Sequence, residues 1–295
     1  MADATKLIKQ TEALLTRLEG LLPRDAAPTD WSASNAFRWR KNNSRGHIDP
    51  VRHVHRISLK DLQGIDTQKE LVERNTQQFV AGHPANNVLL TGARGTGKSS
   101  LIKALLNKYS AQGLRLIEVE KQDLVDLPDI VDRIYQRPER FVLYCDDLSF
   151  EADDPGFKAL KVVLDGSIAA ASDNCVVYAT SNRRHLMPEY MGENLGYRHV
   201  GEEIHPSETS EEKISLSERF GLWVSFYPFD QNDYLRIVAV WLEHFKVADA
   251  RTEEVERAAL QWALQRGSRS GRVAWQFARD WAGKERMKAE GRRRK

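Results

Sequence analysis

The chain has 295 residues, 41% of them hydrophobic and 29% charged, and its 44 Lys and Arg nearly balance 42 Asp and Glu. That is the composition of a soluble globular protein, long enough for one large domain with a smaller companion. A net charge of +2 argues for neither a nucleic-acid coat nor a membrane surface. No stretch reaches the roughly 20 apolar residues that a bilayer-spanning helix needs, and the N-terminus lacks a secretory pattern, so a cytoplasmic protein with no membrane partner is expected.

Residues 4–22 read as an amphipathic helix, with Leu7, Leu14, Leu18 and Leu21 at heptad-like steps. The repeat is short, which favours a docked helix over a dimerising coiled coil. Residues 23–34 are linker-like. The aromatic and basic run Phe37-Arg38-Trp39-Arg40-Lys41 could stack on bases; packing of the Trp and Arg side chains on the main domain is the favoured reading. Residues 1–58 are thus expected as an N-terminal helix and aromatic/basic linker.

From residue 59 to 228 strands and helices alternate. A helical stretch at 67–80 precedes expected strands at 88–91, 115–119, 141–145, 175–180 and 222–226. Helical stretches near 99–110, 124–136, 156–167 and 214–220 lie between them. Such alternation implies an α/β fold, a parallel sheet flanked by helices. Cys145 and Cys175 fall at opposite ends of their strands, too far apart to bridge, and read as small buried side chains. Residues 187–214 form a long connection rich in Glu and Gly. His199 and His205 in it lack tight ligand spacing, so a solvent or partner loop is expected rather than a metal site.

Beyond residue 228 only helical patterns remain, at 230–246, 252–266 and 271–290. They predict a small C-terminal helical lid domain over 229–290, followed by a basic tail at 291–295.

The chemistry is organised around Gly92-Ala93-Arg94-Gly95-Thr96-Gly97-Lys98-Ser99, which matches G-x-x-x-x-G-K-[ST] and continues into Ser100. The glycines let backbone N–H groups turn inward to form an anion-binding concavity, and the helix that follows adds its positive end. In this pattern Lys98 reaches the β- and γ-phosphates, and the Ser99 hydroxyl ligates Mg²⁺. The flanks, an apolar strand before and a periodic helix after, are the context the motif requires.

Asp146-Asp147 ends the apolar run Phe141–Cys145, so its carboxylates should stand beside the phosphate loop at the C-terminal edge of the sheet. Asp146 is placed to hold Mg²⁺ through water, and Asp147 to orient or deprotonate an attacking water. Asn182 ends the next strand, suited either to positioning water or to starting the turn Arg183-Arg184-His185. Arg219 precedes the last strand, where it could neutralise γ-phosphate charge in its own or a neighbour's site, or cap a helix end. Arg272, ahead of Arg269 as a candidate, could reach the phosphates from the helical domain.

Taken in order, the phosphate loop, the Asp-Asp strand, the Asn-ended strand, Ser217-Glu218-Arg219-Phe220-Gly221 and Gly271-Arg272 resemble the AAA+ ATPase superfamily. The likeness runs from about Leu59 to Trp281. Narrower stretches, Pro84–Leu90, Asp146–Glu151 and Glu212–Ser217, resemble an uncharacterised family of bacterial AAA+ ATP-binding proteins.

By this resemblance Gly64-Ile65-Asp66 lines an adenine pocket, with Ile65 a cofactor-binding residue. Lys98 and Ser99 match Walker A, Asp146 matches Walker B, Asn182 sensor 1, Arg219 the arginine finger and Arg272 sensor 2. The resemblance implies ATP and Mg²⁺ as cofactors, hydrolysis, and a homo-oligomer in the ATP state acting on a macromolecular client. Nucleic acid is a weaker candidate for that client. Asp147 stands where the family's catalytic glutamate is usual, and this points to an alternative, an ATP-controlled switch or loader with little turnover; Glu151 is a conceivable substitute. A small-molecule kinase would share the loop but explains neither the helical domain nor the late arginines.

Overall fold

The computed structural model describes residues 11, 28–42, 45–150, 154–165, 173–183, 198–200, 203–205 and 218–293. Almost all of the helix expected at 4–22, most of 187–214, most of the helix at 214–220, and Glu151 lie outside the described residues.

The phosphate-loop strand β3 (Val88–Gly92) is buried along nearly its whole length. Strands β4 (Leu114–Glu118), β5 (Arg140–Cys145), β6 (Cys175–Ser181) and β9 (Leu222–Phe226) run parallel to it, within a residue or two of the sequence expectation. Between them, β7 (Arg198–Val200) and β8 (Glu203–His205) form a separate antiparallel hairpin in the long connection.

Near-continuous apolar runs suit strands covered on both faces. Val88, Leu90, Val142, Tyr144 and Tyr178 pack with α1 (Asp66–Val80) and α2 (Lys98–Tyr109). Leu89, Leu143, Val177 and Ala179 pack instead with α3 (Leu127–Ile134) and α4 (Pro155–Asp165). The helix expected over 124–136 is shorter. A 3₁₀ turn covers Lys121–Asp126, and the α-helix begins where Pro128, lacking an N–H, is best tolerated.

The main difference from expectation is at the N-terminal side. Residues expected as a linker form an antiparallel hairpin, β1 (Ala36–Asn42) with β2 (Arg45–Pro50). Strand β1 then adds in parallel to β4, with Phe37 opposite Ile117 and Arg38 opposite Glu118. The sheet therefore has seven strands in the order β2-β1-β4-β5-β6-β3-β9. Trp39 packs into the domain, only 2% exposed, and its indole N–H donates to Asp126 Oδ2 at 2.9 Å. Arg38 pairs with Glu118, and Lys41 with Asp126. The aromatic and basic run is thereby engaged with the sheet and its neighbours, as the favoured packing reading requires.

Three helices follow β9. Asp230 caps α5 (Gln231–His244) by accepting from the Asp233 N–H. Thr252 caps α6 (Glu253–Gln265), whose first turn carries three glutamates favoured by the helix dipole. Helix α7 (Gly271–Arg293) packs chiefly on α5 and runs past 290, so the first three residues of the expected tail are helical. Cys145 and Cys175 are both free.

Candidate nucleotide site

Because β6 lies between β3 and β5, the C-terminal ends of three adjacent strands bring together the loop after Gly92, the Asp146-Asp147 pair and Thr180 to Asn182. Facing them across a cavity of about 650 Å³ are helices α5 and α7. Its lining includes the polar groups of Arg94 to Ser100 with Asp146, Asp147, Thr180 and Asn182, and the apolar side chains of Leu62, Ile65, Phe229, Trp241 and Trp275.

Two glycines make the loop possible. Gly92 has φ 121°, and a Cβ there would lie 1.9 Å from the Phe226 carbonyl oxygen, where β9 passes closest. Gly97 holds φ 103° at the N-cap of α2 and offers no side-chain cap. The first N–H groups of α2 are therefore left for an anion rather than satisfied internally.

Lys98 is 5% exposed. Its ammonium donates to the Gly92 and Ala93 carbonyls at 2.8 Å and to Asn182 Oδ1 at 3.1 Å. Burial lowers its pKa to about 8, against the pull of Asp147 and Asp146, and Arg94 and Arg272 add to the lowering. A cation held this way, among further arginines, is a site that an anion would relieve.

Thr180 organises both aspartates. Its hydroxyl donates to Asp146 Oδ1 at 2.6 Å and accepts from the Asp147 N–H at 2.9 Å. Ser99 Oγ donates to the same Asp146 oxygen at 2.8 Å. Burial acts to raise the Asp146 pKa, but the surrounding hydroxyls of Thr180, Tyr144 and Ser99 outweigh it and hold the carboxyl below its ordinary value. Asp147 occupies the left-handed region at φ 52°, which Asp tolerates better than most residues. Its carboxylate accepts from the Asn182 side-chain amide, so Asn182 joins Asp147 to Lys98.

Among the described residues no group of three His, Cys, Asp or Glu could hold a metal by itself. A hydroxyl and one carboxylate fit a hard cation that keeps water and takes its remaining ligands from phosphates, which is the habit of Mg²⁺. The donor set, the glycine cradle and the buried lysine therefore fit a nucleoside triphosphate with Mg²⁺.

Of the sequence-derived site residues, Arg94 to Ser100, Ile65, Asp146, Asp147, Asn182 and Arg272 all line this cavity. Ala93 and Arg269 line a second cleft rather than this cavity. Ser100 lies one residue along α2 from Ser99. Arg219 is not brought to this cavity. It precedes β9, at the end of the strand remote from the phosphate loop, and pairs with Asp165 at the end of α4. Sequence reasoning assigns no function to Thr180, nor to the tryptophans at 241 and 275. Thr180 could be suspected from its place two residues before Asn182. The tryptophans carry no local signal, since only helix packing sets them against the cavity.

The seven-stranded sheet with its phosphate loop and following helices is the fold of AAA+ P-loop proteins. Thermotoga maritima RuvB shares it. One single-residue variant of that protein superposes with a TM-score of 0.52 at 15% identity, over 77% of this chain and 64% of that one. A second variant gives 0.52 at 13% identity with the same coverage. The replication factor C large subunit of Sulfolobus acidocaldarius is 31% identical over 77 residues, which are 26% of this chain and 18% of that protein. The likeness thus spans just under two thirds of the RuvB chain and less than a fifth of the replication factor subunit. Residues 32–285 match the model of the family described as protein of unknown function (DUF815), and the chain belongs to that family.

Proposed function

We propose that this protein binds ATP with Mg²⁺ and hydrolyses it, using the cycle to move the helical lid and do conformational work on a macromolecular partner. The observation that carries the reading is the continuous network Lys98–Asn182–Asp147 and Ser99–Asp146–Thr180 lining one cavity. Bound Mg²⁺ would supply charge neutralisation at the β- and γ-phosphates. Lys98 would leave its carbonyl contacts for phosphate oxygen, while Ser99 and Asp146 hold the cation and its water. Asp147 would accept the proton of the attacking water with Asn182 fixing its orientation. Arg272, on the first turn of α7, would draw the lid down on the phosphates. Arg219, remote from its own chain's cavity, would serve the site of a neighbouring subunit in a homo-oligomer.

A second reading, an ATP-controlled switch with little turnover, is favoured by the engagement of the Asp147 carboxylate by Asn182. Phosphate release measured against protein concentration, for wild type, Lys98→Ala and Arg219→Ala, separates the two. Turnover per subunit that rises with concentration and disappears in both variants supports shared sites. ATP binding without release supports the switch, and turnover in strictly monomeric protein that survives Arg219→Ala defeats the shared-site reading.

A further inference from the structure

Tyr144 makes no hydrogen bond in the network above. It lies on β5 two residues before Asp146, so strand alternation puts both side chains on the face covered by α2. The residue is 1% exposed, yet its hydroxyl is buried with no hydrogen-bond partner. Buried hydroxyls are nearly always paired, and an orphan calls for a reason such as an ion or water. Of the other such side-chain atoms among the described residues, Arg115 Nε and Trp262 Nε1, neither belongs to a residue lining the nucleotide cavity. The Tyr144 hydroxyl faces Ser99 and Asp146, the two residues suited to the cation. It is near enough to act on the Asp146 carboxyl but outside hydrogen-bonding geometry.

Both hydroxyl donors to Asp146, from Ser99 and Thr180, fall on Oδ1. A third donor is therefore suited to the other oxygen. A phenol ordinarily titrates at about 10, so at neutral pH the hydroxyl carries a proton to donate. Mg²⁺ demands near-octahedral geometry and retains water, so a carboxylate that receives that water must be held in one orientation.

We propose that Tyr144 is a positioning residue of the metal site, donating its hydroxyl to Asp146 once the Ser99 oxygen engages a divalent cation and holding the carboxylate towards the cation's water. The proposal rests on the reading that Ser99 and Asp146 hold Mg²⁺ beside a nucleotide. Its test is Tyr144→Phe in the full chain, with binding of a fluorescent ATP analogue measured in EDTA and across a Mg²⁺ titration, alongside thermal unfolding. The expected result is unchanged affinity in EDTA, unchanged or higher thermal stability, and a Mg²⁺ half-point raised about tenfold. An unchanged Mg²⁺ half-point overturns the proposal, as does an equal loss of affinity in EDTA, which would assign the effect to ring packing. Wild-type protein that binds no analogue with or without Mg²⁺ overturns the site reading beneath it, and that failure is visible without the variant.

Discussion

Lys98 couples the proposed nucleotide site to stability, and the coupling has a sign. Its folded pKa is about 8 against an ordinary 10.5, because burial outweighs the two aspartates. Between those values the unfolded chain holds more protons, so the penalty is complete below about pH 8 and fades as pH rises towards 10.5. The whole shift corresponds to about 3 kcal/mol. The ammonium opens on the cavity, where water screens it, and this trims the difference between pH 7 and 9.5 to about 1–2 kcal/mol.

Lys98→Met removes the titration. It also leaves the Gly92 and Ala93 carbonyls without their donor, at about 1 kcal/mol each, so the slope with pH is more informative than the offset at one pH. Urea unfolding of both proteins without nucleotide, from pH 7 to 9.5, should show wild type gaining about 1–2 kcal/mol on the variant. ATP added at pH 7 should stabilise wild type and leave the variant unaffected. Parallel pH curves would refute the buried-cation argument.

Two further substitutions probe the scaffold. Gly92→Ala places a Cβ 1.9 Å from the Phe226 carbonyl oxygen at φ 121°, and should cost about 3 kcal/mol or more in thermal or urea unfolding; a loss below about 1 kcal/mol would mean that β9 yields easily. Trp39→Ala empties a 2%-exposed site and strips Asp126 of its indole donor, an expected loss of about 3–5 kcal/mol. An unchanged unfolding midpoint for that variant would show that the hairpin does not share the domain's cooperative unit.

The hairpin is open to a closer reading of the residues. Phe37 to Arg40 alternates aromatic and cationic side chains, and Phe37 and Trp39 are buried while Arg38 is half-buried and Arg40 exposed. That period of two is a strand signal, masked by a basic character that suggests a surface segment. What no local pattern contains is the partner, because β1 pairs with β4 across more than seventy intervening residues. Arg219 raises the same difficulty in another form. Its neighbours in sequence identify an arginine before a strand, and only the packed sheet sets it beside Asp165 and away from its own chain's cavity.

The short-range features are legible residue by residue: the glycine loop between strand and helix, the Asp146-Asp147 pair at a strand end, the five parallel strands and the helical C-terminal unit. Each follows from backbone preference, hydrophobic period or capping over a dozen residues or fewer. Packing alone sets the strand order that brings Thr180 to both aspartates, the placement of Trp241 and Trp275 on the cavity, and the orphaned hydroxyl of Tyr144 beside Ser99 and Asp146. These depend on which surfaces meet when the chain closes its core, and contacts between distant segments are not encoded by the residues on either side of each one.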